Sequence, residues 1–353
     1  MQAWKKALFV GICGLFALVL LEGISRTEWS LRSEAPFFGP NLYFYYPELR
    51  PVLETEEGGE EDLDVLLLGG SVLHEDWGTI PRALQERLTL ATGREVRLHN
   101  LAKPGHTTRD SWYKYRRTAK KAFDLVLVYH GINELRMNNC PEAVYRDDYG
   151  HYSWYRVINR FERHPSWPDL ALLYALFYRG TRLHEKVIAP EAYIPRDRPD
   201  EAMIRFGGEI KTVRAFERNL TNLVDLARER RQPLVLMTFC SYLPEDYTLE
   251  RFQEGVLDYC LHSCAVEIWG GPDHVAKGLE AHNRVIRDLQ ARFPEEVRLV
   301  DQEERMPRGR DQFNDICHLT QRGCDAFAAN IVRGVRDLLP SRESAGSDGG
   351  AGS

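Results

Sequence analysis

The stretch Asp64-Val-Leu-Leu-Leu-Gly-Gly-Ser71 is a short apolar run that stops on two glycines and a serine. A run of this length, bounded by turn residues, reads as a strand buried on both faces, as in a parallel sheet. Similar runs follow at Val96 to Leu101, Asp124 to Tyr129, Pro233 to Phe239 and Val297 to Val300. Between them lie helical patterns at Ile80 to Leu90, Arg109 to Ala122, Ile210 to Arg230, His274 to Arg292 and Gln321 to Leu339. Strands alternating with amphipathic helices require right-handed crossovers. The expected fold is a three-layer α/β/α sandwich around a parallel sheet of about five strands. No internal repeat is visible.

The 353 residues hold 46 Lys plus Arg against 52 Asp plus Glu, a formal charge of -6. With 43% hydrophobic and 28% charged residues, the chain is neither disordered nor collagen-like. Mild acidity argues against a nucleic-acid partner, which calls for a basic surface. A mean hydropathy of -0.41 excludes a polytopic membrane protein but not a single span. One such run exists: Ala7 to Leu21 is wholly apolar and follows Lys5 and Lys6. A signal peptide has this layout, and so does a signal anchor whose lysines stay in the cytoplasm. The run is short of the roughly 20 residues of a span. Trp4 and the residues through Ile24 extend it if Glu22 sits at the interface.

Residues 1–25 are therefore expected to be a transmembrane signal anchor that exports the remainder, with a cleaved, secreted form as the alternative. The protein is then a single-pass membrane protein with an extracytoplasmic domain. Residues 26–62 read as a connector, 63–340 as the folded domain and 341–353, all small or charged, as a disordered tail. An insertion rich in aromatics and prolines interrupts the domain at about 138–205, with one helix around Leu170 to Arg179. It either packs over a sheet edge or forms a lid bordering the site.

Open parallel sheets build their sites outside the carboxyl ends of the strands. After the first strand stands Ser71, a hydroxyl on a glycine-permitted turn. After the second, Gly105 can offer an unobstructed backbone N–H; after the third, Asn133 can offer a side-chain N–H. A late loop carries Asp315 and His318, spaced so that a carboxylate and an imidazole reach the same serine. These are the groups that acyl transfer requires.

The set resembles the SGNH (GDSL-type) hydrolase family in four ordered blocks. They read LLLGGS with Ser71, NLAKPG with Gly105, GINE with Gly131 and Asn133, and DICH with Asp315 and His318. The resemblance spans Asp64 to Leu339, and departs from many members in having Gly70 in place of Asp. Each block alone is weak; Gly69-Gly70-Ser71 by itself is a strand-ending turn. The resemblance implies the flavodoxin-like SGNH fold and a serine esterase with the triad Ser71, His318 and Asp315. It implies an oxyanion hole from the N–H groups of Ser71 and Gly105 and the Asn133 amide. The substrate is then an acyl ester of a lipid or a carbohydrate, and no cofactor or metal is required. The alternatives are an O-acyltransferase acting on a cell-surface polysaccharide and a non-catalytic binding member of the family. No feature sets an oligomeric state.

His74, His106 and His130 lie near the motif loops without compact metal-ligand spacing, and Cys260, His262 and Cys264 do not form a zinc-finger pattern. Gly69-Gly70 is not followed by the Gly-Lys-[Ser/Thr] of a phosphate loop. Of seven cysteines, Cys13 lies in the apolar run and six remain, which allows fifteen full pairings. In an exported domain, Cys260–Cys264 and Cys317–Cys324 are the local disulfide candidates; in the cytosol all would stay thiols.

Overall fold

The computed structural model describes residues 3–33, 35–55, 59, 61–164, 167–187 and 201–339. The expected tail at 341–353 and part of the insertion, 188–200, lie outside the described residues.

The strands are β1 (Leu63–Gly69), β2 (Val96–Asn100), β3 (Leu125–Tyr129), β4 (Leu234–Met237) and β5 (Val297–Val300). They pair in parallel in the order β2-β1-β3-β4-β5. The apolar run of β1 has the burial that its composition dictates: Leu63 and Val65 through Leu68 are all fully buried. On one face, the helix Ile80–Thr92 packs against Gln321–Val335; on the other, Val213–Arg230 packs against both Thr108–Arg117 and Pro272–Arg292. This is the expected three-layer α/β/α sandwich. The chain starts in the interior at β1, moves to the edge at β2, then returns past β1 to β3. The loops leaving β1 and β3 diverge there, at the switch point where such sheets open a crevice.

The helix expected over Arg109 to Ala122 ends at Arg117 instead. Its start is set locally by a capping box, in which Thr107 accepts from the Arg109 amide and the Asp110 carboxylate accepts from the Thr107 amide. Its end is set from a distance. The Arg230 guanidinium donates to the carbonyls of Tyr115 at 2.8 Å and Arg116 at 3.2 Å. Those terminal acceptors are thereby satisfied without a further helical turn.

The chain divides into two compact units. The sheet lies in Val52–Asp147 with Pro195–Ser353. The other unit joins Met1–Pro51 to Asp148–Ile194, so much of the insertion clusters with the N-terminal segment. Its first helix, Ala3–Ser33, runs eight residues past the expected end of the anchor. Among the described residues this is the one helix long and apolar enough to cross a membrane. The insertion contributes two helices, Ser153–Arg163 and Ala171–Val187. Aromatic contacts hold the unit: Trp29 meets Phe44, Tyr45 and Tyr178, and Phe161 stacks on Tyr174.

The disulfides expected from Cys260–Cys264 and Cys317–Cys324 are not formed; all seven cysteines are free thiols. The buried thiols of the second pair turn to different neighbours. Cys317 Sγ faces His318 Nδ1 at 3.6 Å, whereas Cys324 Sγ faces the Leu319 carbonyl at 3.9 Å.

Gly323 lets the first turn of the helix Gln321–Val335 press on the loop before it. A Cβ there would lie 2.2 Å from the Gln312 carbonyl oxygen, which is backbone and cannot rotate away. Overpacking of this kind costs about 1–3 kcal/mol. The gain in helix propensity for Gly to Ala is only about 1 kcal/mol. Gly323→Ala is therefore expected to lower the thermal midpoint by several degrees. An unchanged midpoint in scanning calorimetry would show that the loop gives way freely.

Candidate active site

Ser71 opens a single 3-10 turn, Ser71–Leu73, directly after β1. Its Oγ lies 2.9 Å from His318 Nε2. On the far side of the ring, His318 Nδ1 lies 2.8 Å from Asp315 Oδ2. With the proton on Nδ1, which the carboxylate favours, Nε2 is an acceptor and the Ser71 hydroxyl donates to it. Asp315 is fully buried, and His318 and Ser71 are nearly so, at 3% and 7% exposure. The Nε2 edge of the imidazole thus faces the Ser71 hydroxyl, and the Nδ1 edge faces a carboxylate closed to solvent.

The loop that carries Asp315 and His318 is built by the same carboxylate. Asp315 Oδ1 accepts from the backbone amides of Cys317 and His318, both at 2.9 Å. The Asn314 amide donates to the His318 carbonyl at 2.7 Å, and Phe313 bridges to Leu319. The Ile316 carbonyl accepts from the Tyr242 amide. Thr320 then caps the helix Gln321–Val335 through the Gly323 amide.

Asn133 comes to the same corner from the helix Ile132–Asn138 after β3. Its Nδ2 donates to the His106 carbonyl at 2.9 Å, and its Oδ1 accepts from Trp269 Nε1 at 3.1 Å. These two bonds fix which way the amide faces and leave one N–H of Nδ2 unspent. Nδ2 also explains Gly70: a Cβ at that position would lie 2.6 Å from it. Gly105 has φ +77°, a backbone state that suits glycine. The turn that contains it is tied to β1, since the Lys103 amide donates to the Gly69 carbonyl at 3.2 Å. The next residue, His106, carries the carbonyl that holds Asn133. Ser71, Asp315 and His318 are thus joined by direct hydrogen bonds, and Gly105 and Asn133 are linked to that corner through backbone.

Two tryptophans that the sequence reading did not single out stand beside the imidazole. Trp77 stacks on His318 with ring centroids 4.1 Å apart and planes 24° apart. Trp269 is buried, 6.3 Å from the same ring. Trp77 follows Ser71 by six residues in a turn, and its amide donates to the His74 carbonyl. Proximity to the serine block was the signal for it; no local signal exists for Trp269.

Metal-ligand chemistry near the site is confined, among the described residues, to Cys264, Asp315 and His318, whose ligand atoms lie within 4.8 Å of one another. Two of these three already bond to each other. Burial and the neighbouring Asp315 carboxylate push the Cys317 thiol well above its ordinary value, so it is neutral beside the ring. His74 and His106 are engaged by lysines: Lys103 Nζ lies 3.2 Å from His74 Nε2 and Lys114 Nζ lies 2.9 Å from His106 Nδ1.

No family model and no curated protein sequence matches the chain. Solved structures similar to it include a GDSL-like lipase from Bacteroides thetaiotaomicron, at 12% identity, 84% of this chain, 98% of that one and TM-score 0.45. A lipase/acylhydrolase from Enterococcus faecalis is similar at 13% identity, 79% and 98% coverage and TM-score 0.40. A variant of an acetyl xylan esterase from Geobacillus stearothermophilus is similar at 13% identity, 82% and 100% coverage and TM-score 0.42.

Glu134 adjoins Asn133 but faces the interior. It is fully buried, and Oε1 accepts from the Thr108 amide at 2.5 Å. Burial pushes its carboxyl up to about 8, against the partial opposition of the Thr108 bond. A raised folded-state value contributes stability that is present below the unfolded value and lost as pH rises through about 8. Glu134→Gln keeps an acceptor for Thr108 and cannot ionise. Its stability relative to wild type should improve between about pH 5 and pH 9 in urea unfolding. A constant difference across that range would mean that the wild-type carboxyl is not held neutral.

Proposed function

We propose that the chain is a serine ester hydrolase of SGNH type, working on an acyl ester of a lipid or a carbohydrate outside the cytoplasm. The observation that carries this reading is the unbroken chain from Ser71 through His318 to Asp315, at 2.9 and 2.8 Å. A free serine hydroxyl is a poor nucleophile at neutral pH, and an adjacent base held in one tautomer is the means of activating it.

In this mechanism Ser71 Oγ attacks the ester carbonyl while His318 Nε2 takes its proton. Asp315 holds Nδ1–H and stabilises the imidazolium. The negative charge that develops on the carbonyl oxygen falls to N–H donors, for which Ser71 N, Gly105 N and Asn133 Nδ2 are the candidates. His318 then gives its proton to the leaving alkoxide, and the alcohol departs. Water, deprotonated by the same imidazole, attacks the acyl-enzyme; the acid leaves and the Ser71 hydroxyl is restored. Trp77, stacked on His318, restricts the ring to one plane through both steps. The apolar run after Lys5 and Lys6 supports an extracytoplasmic position for the domain, with the lysines retained inside.

A fluorophosphonate probe is expected to label wild type at Ser71 and to leave Ser71→Ala unlabelled. Ser71→Ala and His318→Ala should each abolish hydrolysis of short aryl esters with the thermal midpoint retained. Turnover that survives either change would reject the triad. Asn133→Ala should lower kcat about a hundredfold, the usual effect of losing one oxyanion donor. Trp269→Phe removes the N–H that orients Asn133 together with part of a buried ring, so its thermal midpoint is measured alongside. It should lower kcat about tenfold with KM nearly unchanged, as for an interaction made in the transition state. A rise in KM alone would assign Trp269 to substrate binding.

A further inference from the structure

The unit formed by Met1–Pro51 and Asp148–Ile194 contains a cavity of ≈ 350 Å³ between the helices Ala3–Ser33 and Ala171–Val187. These two helices run side by side in the same direction. Glu22 accepts from the amides of Ala171 and Leu172 at 2.9 and 2.8 Å, and one to two turns further Trp29 meets Tyr178. The cavity wall gathers Arg32, Arg179 and Arg182 around Glu28, with Trp29 and Tyr178 beside them. Glu28 bonds to both Arg32 and Arg179. Those two guanidiniums are about two-thirds exposed, at 66% and 67%, so each still offers donors to a further anion.

The height of this cavity along the first helix identifies the anion. From Lys5 to Trp29 the helix advances about 36 Å at 1.5 Å per residue. A bilayer with its headgroups is about 40–45 Å thick. A helix that spans from the lysines therefore brings Trp29 into the opposite headgroup layer and Arg32 to its outer edge. Trp and Tyr favour that layer. The segment after the helix returns to it as well. Arg26 donates to the carbonyls of Phe37 and Gly39, both at 3.1 Å, so Phe38 lies at the level just before Trp29. Phe38 is 92% exposed. So exposed an aromatic side chain is a liability in water and an anchor at a lipid surface.

We propose that this arginine-lined cavity binds the phosphate of an anionic phospholipid at the membrane surface. The proposal rests on the membrane reading of the N-terminal run. The phosphodiester oxygens accept from the three guanidiniums, and the indole and phenol rings lie against the glycerol region. The guanidiniums attract the phosphate and repel a cationic headgroup, so anionic lipids with different headgroup alcohols are held alike and zwitterionic phosphatidylcholine is disfavoured.

The test uses the full chain. Flotation with phosphatidylcholine vesicles reads the membrane claim by itself. Native mass spectrometry of the detergent-solubilised protein, offered phosphatidylglycerol or phosphatidylcholine, reads the cavity. The wild type should float and retain phosphatidylglycerol preferentially. Each of Arg32→Gln, Arg179→Gln and Arg182→Gln should lower that preference about fivefold, the usual effect of one basic residue near an anionic surface. The triple Lys variant should keep most of it. Added inorganic phosphate should not displace the lipid; displacement would make free phosphate the ligand and overturn the proposal. Flotation without lipid preference, or preference that survives the triple Gln variant, overturns the cavity alone. Failure to float overturns the membrane reading and the proposal with it.

Discussion

One fully buried carboxylate organises the site. Asp315 accepts from two backbone amides through Oδ1 and faces the His318 ring through Oδ2. The first pair of bonds closes the loop into a tight turn; the second fixes the plane and tautomer of the imidazole. A carboxylate without partners would be costly to bury at this position. The same carboxylate therefore ties the loop conformation to the ring orientation that aims Nε2 at Ser71. A variant that removes the carboxylate would disturb both the turn and the ring orientation.

The sheet brings the opposite half of the site. Because β1 lies between β2 and β3, the residues that follow all three strands meet at one corner. Leu101 and Lys103 donate to the β1 carbonyls of Leu67 and Gly69, which continues the β2 side of the ladder into the loop. Asn133 enters from the β3 side and reaches back to His106. Approach is close at Gly70: a Cβ there would lie 2.6 Å from Asn133 Nδ2, so any other residue would require that amide to shift.

Much of this was legible in the sequence because it is local. Apolar runs that stop on glycine mark buried strands, and residues at strand ends fall at one edge of a parallel sheet whatever the helices do. Asp315 and His318 lie three residues apart, so their pairing needs no long-range information. What the sequence concealed depends on distant partners. Trp269 orients Asn133 across 136 residues. Arg230 ends the helix Thr108–Arg117 from more than 110 residues away, where helical periodicity alone runs on to Ala122. The cysteine pairs failed for the same reason. Separation along the chain suggested contact, but the direction of each thiol is set by the packing of its own turn.

Several histidines lie near the strand ends, and their environments separate them. Burial, with the Lys114 charge adding to it, pushes His130 down to about 3, and its Nε2 bonds to the Ser111 hydroxyl at 2.7 Å inside the core. Its ring is therefore neutral near neutral pH. His282 is likewise buried and pushed down to about 4, with Nδ1 on the Gly131 carbonyl. His106 Nδ1 lies 2.9 Å from the Lys114 ammonium, in the place where His318 Nδ1 has a carboxylate. Only His318, among the described residues, has a carboxylate on one ring nitrogen and a serine hydroxyl on the other. A base must gain a proton and be stabilised while it holds it, and in the proposed mechanism His318 is the histidine whose two ring partners meet that requirement.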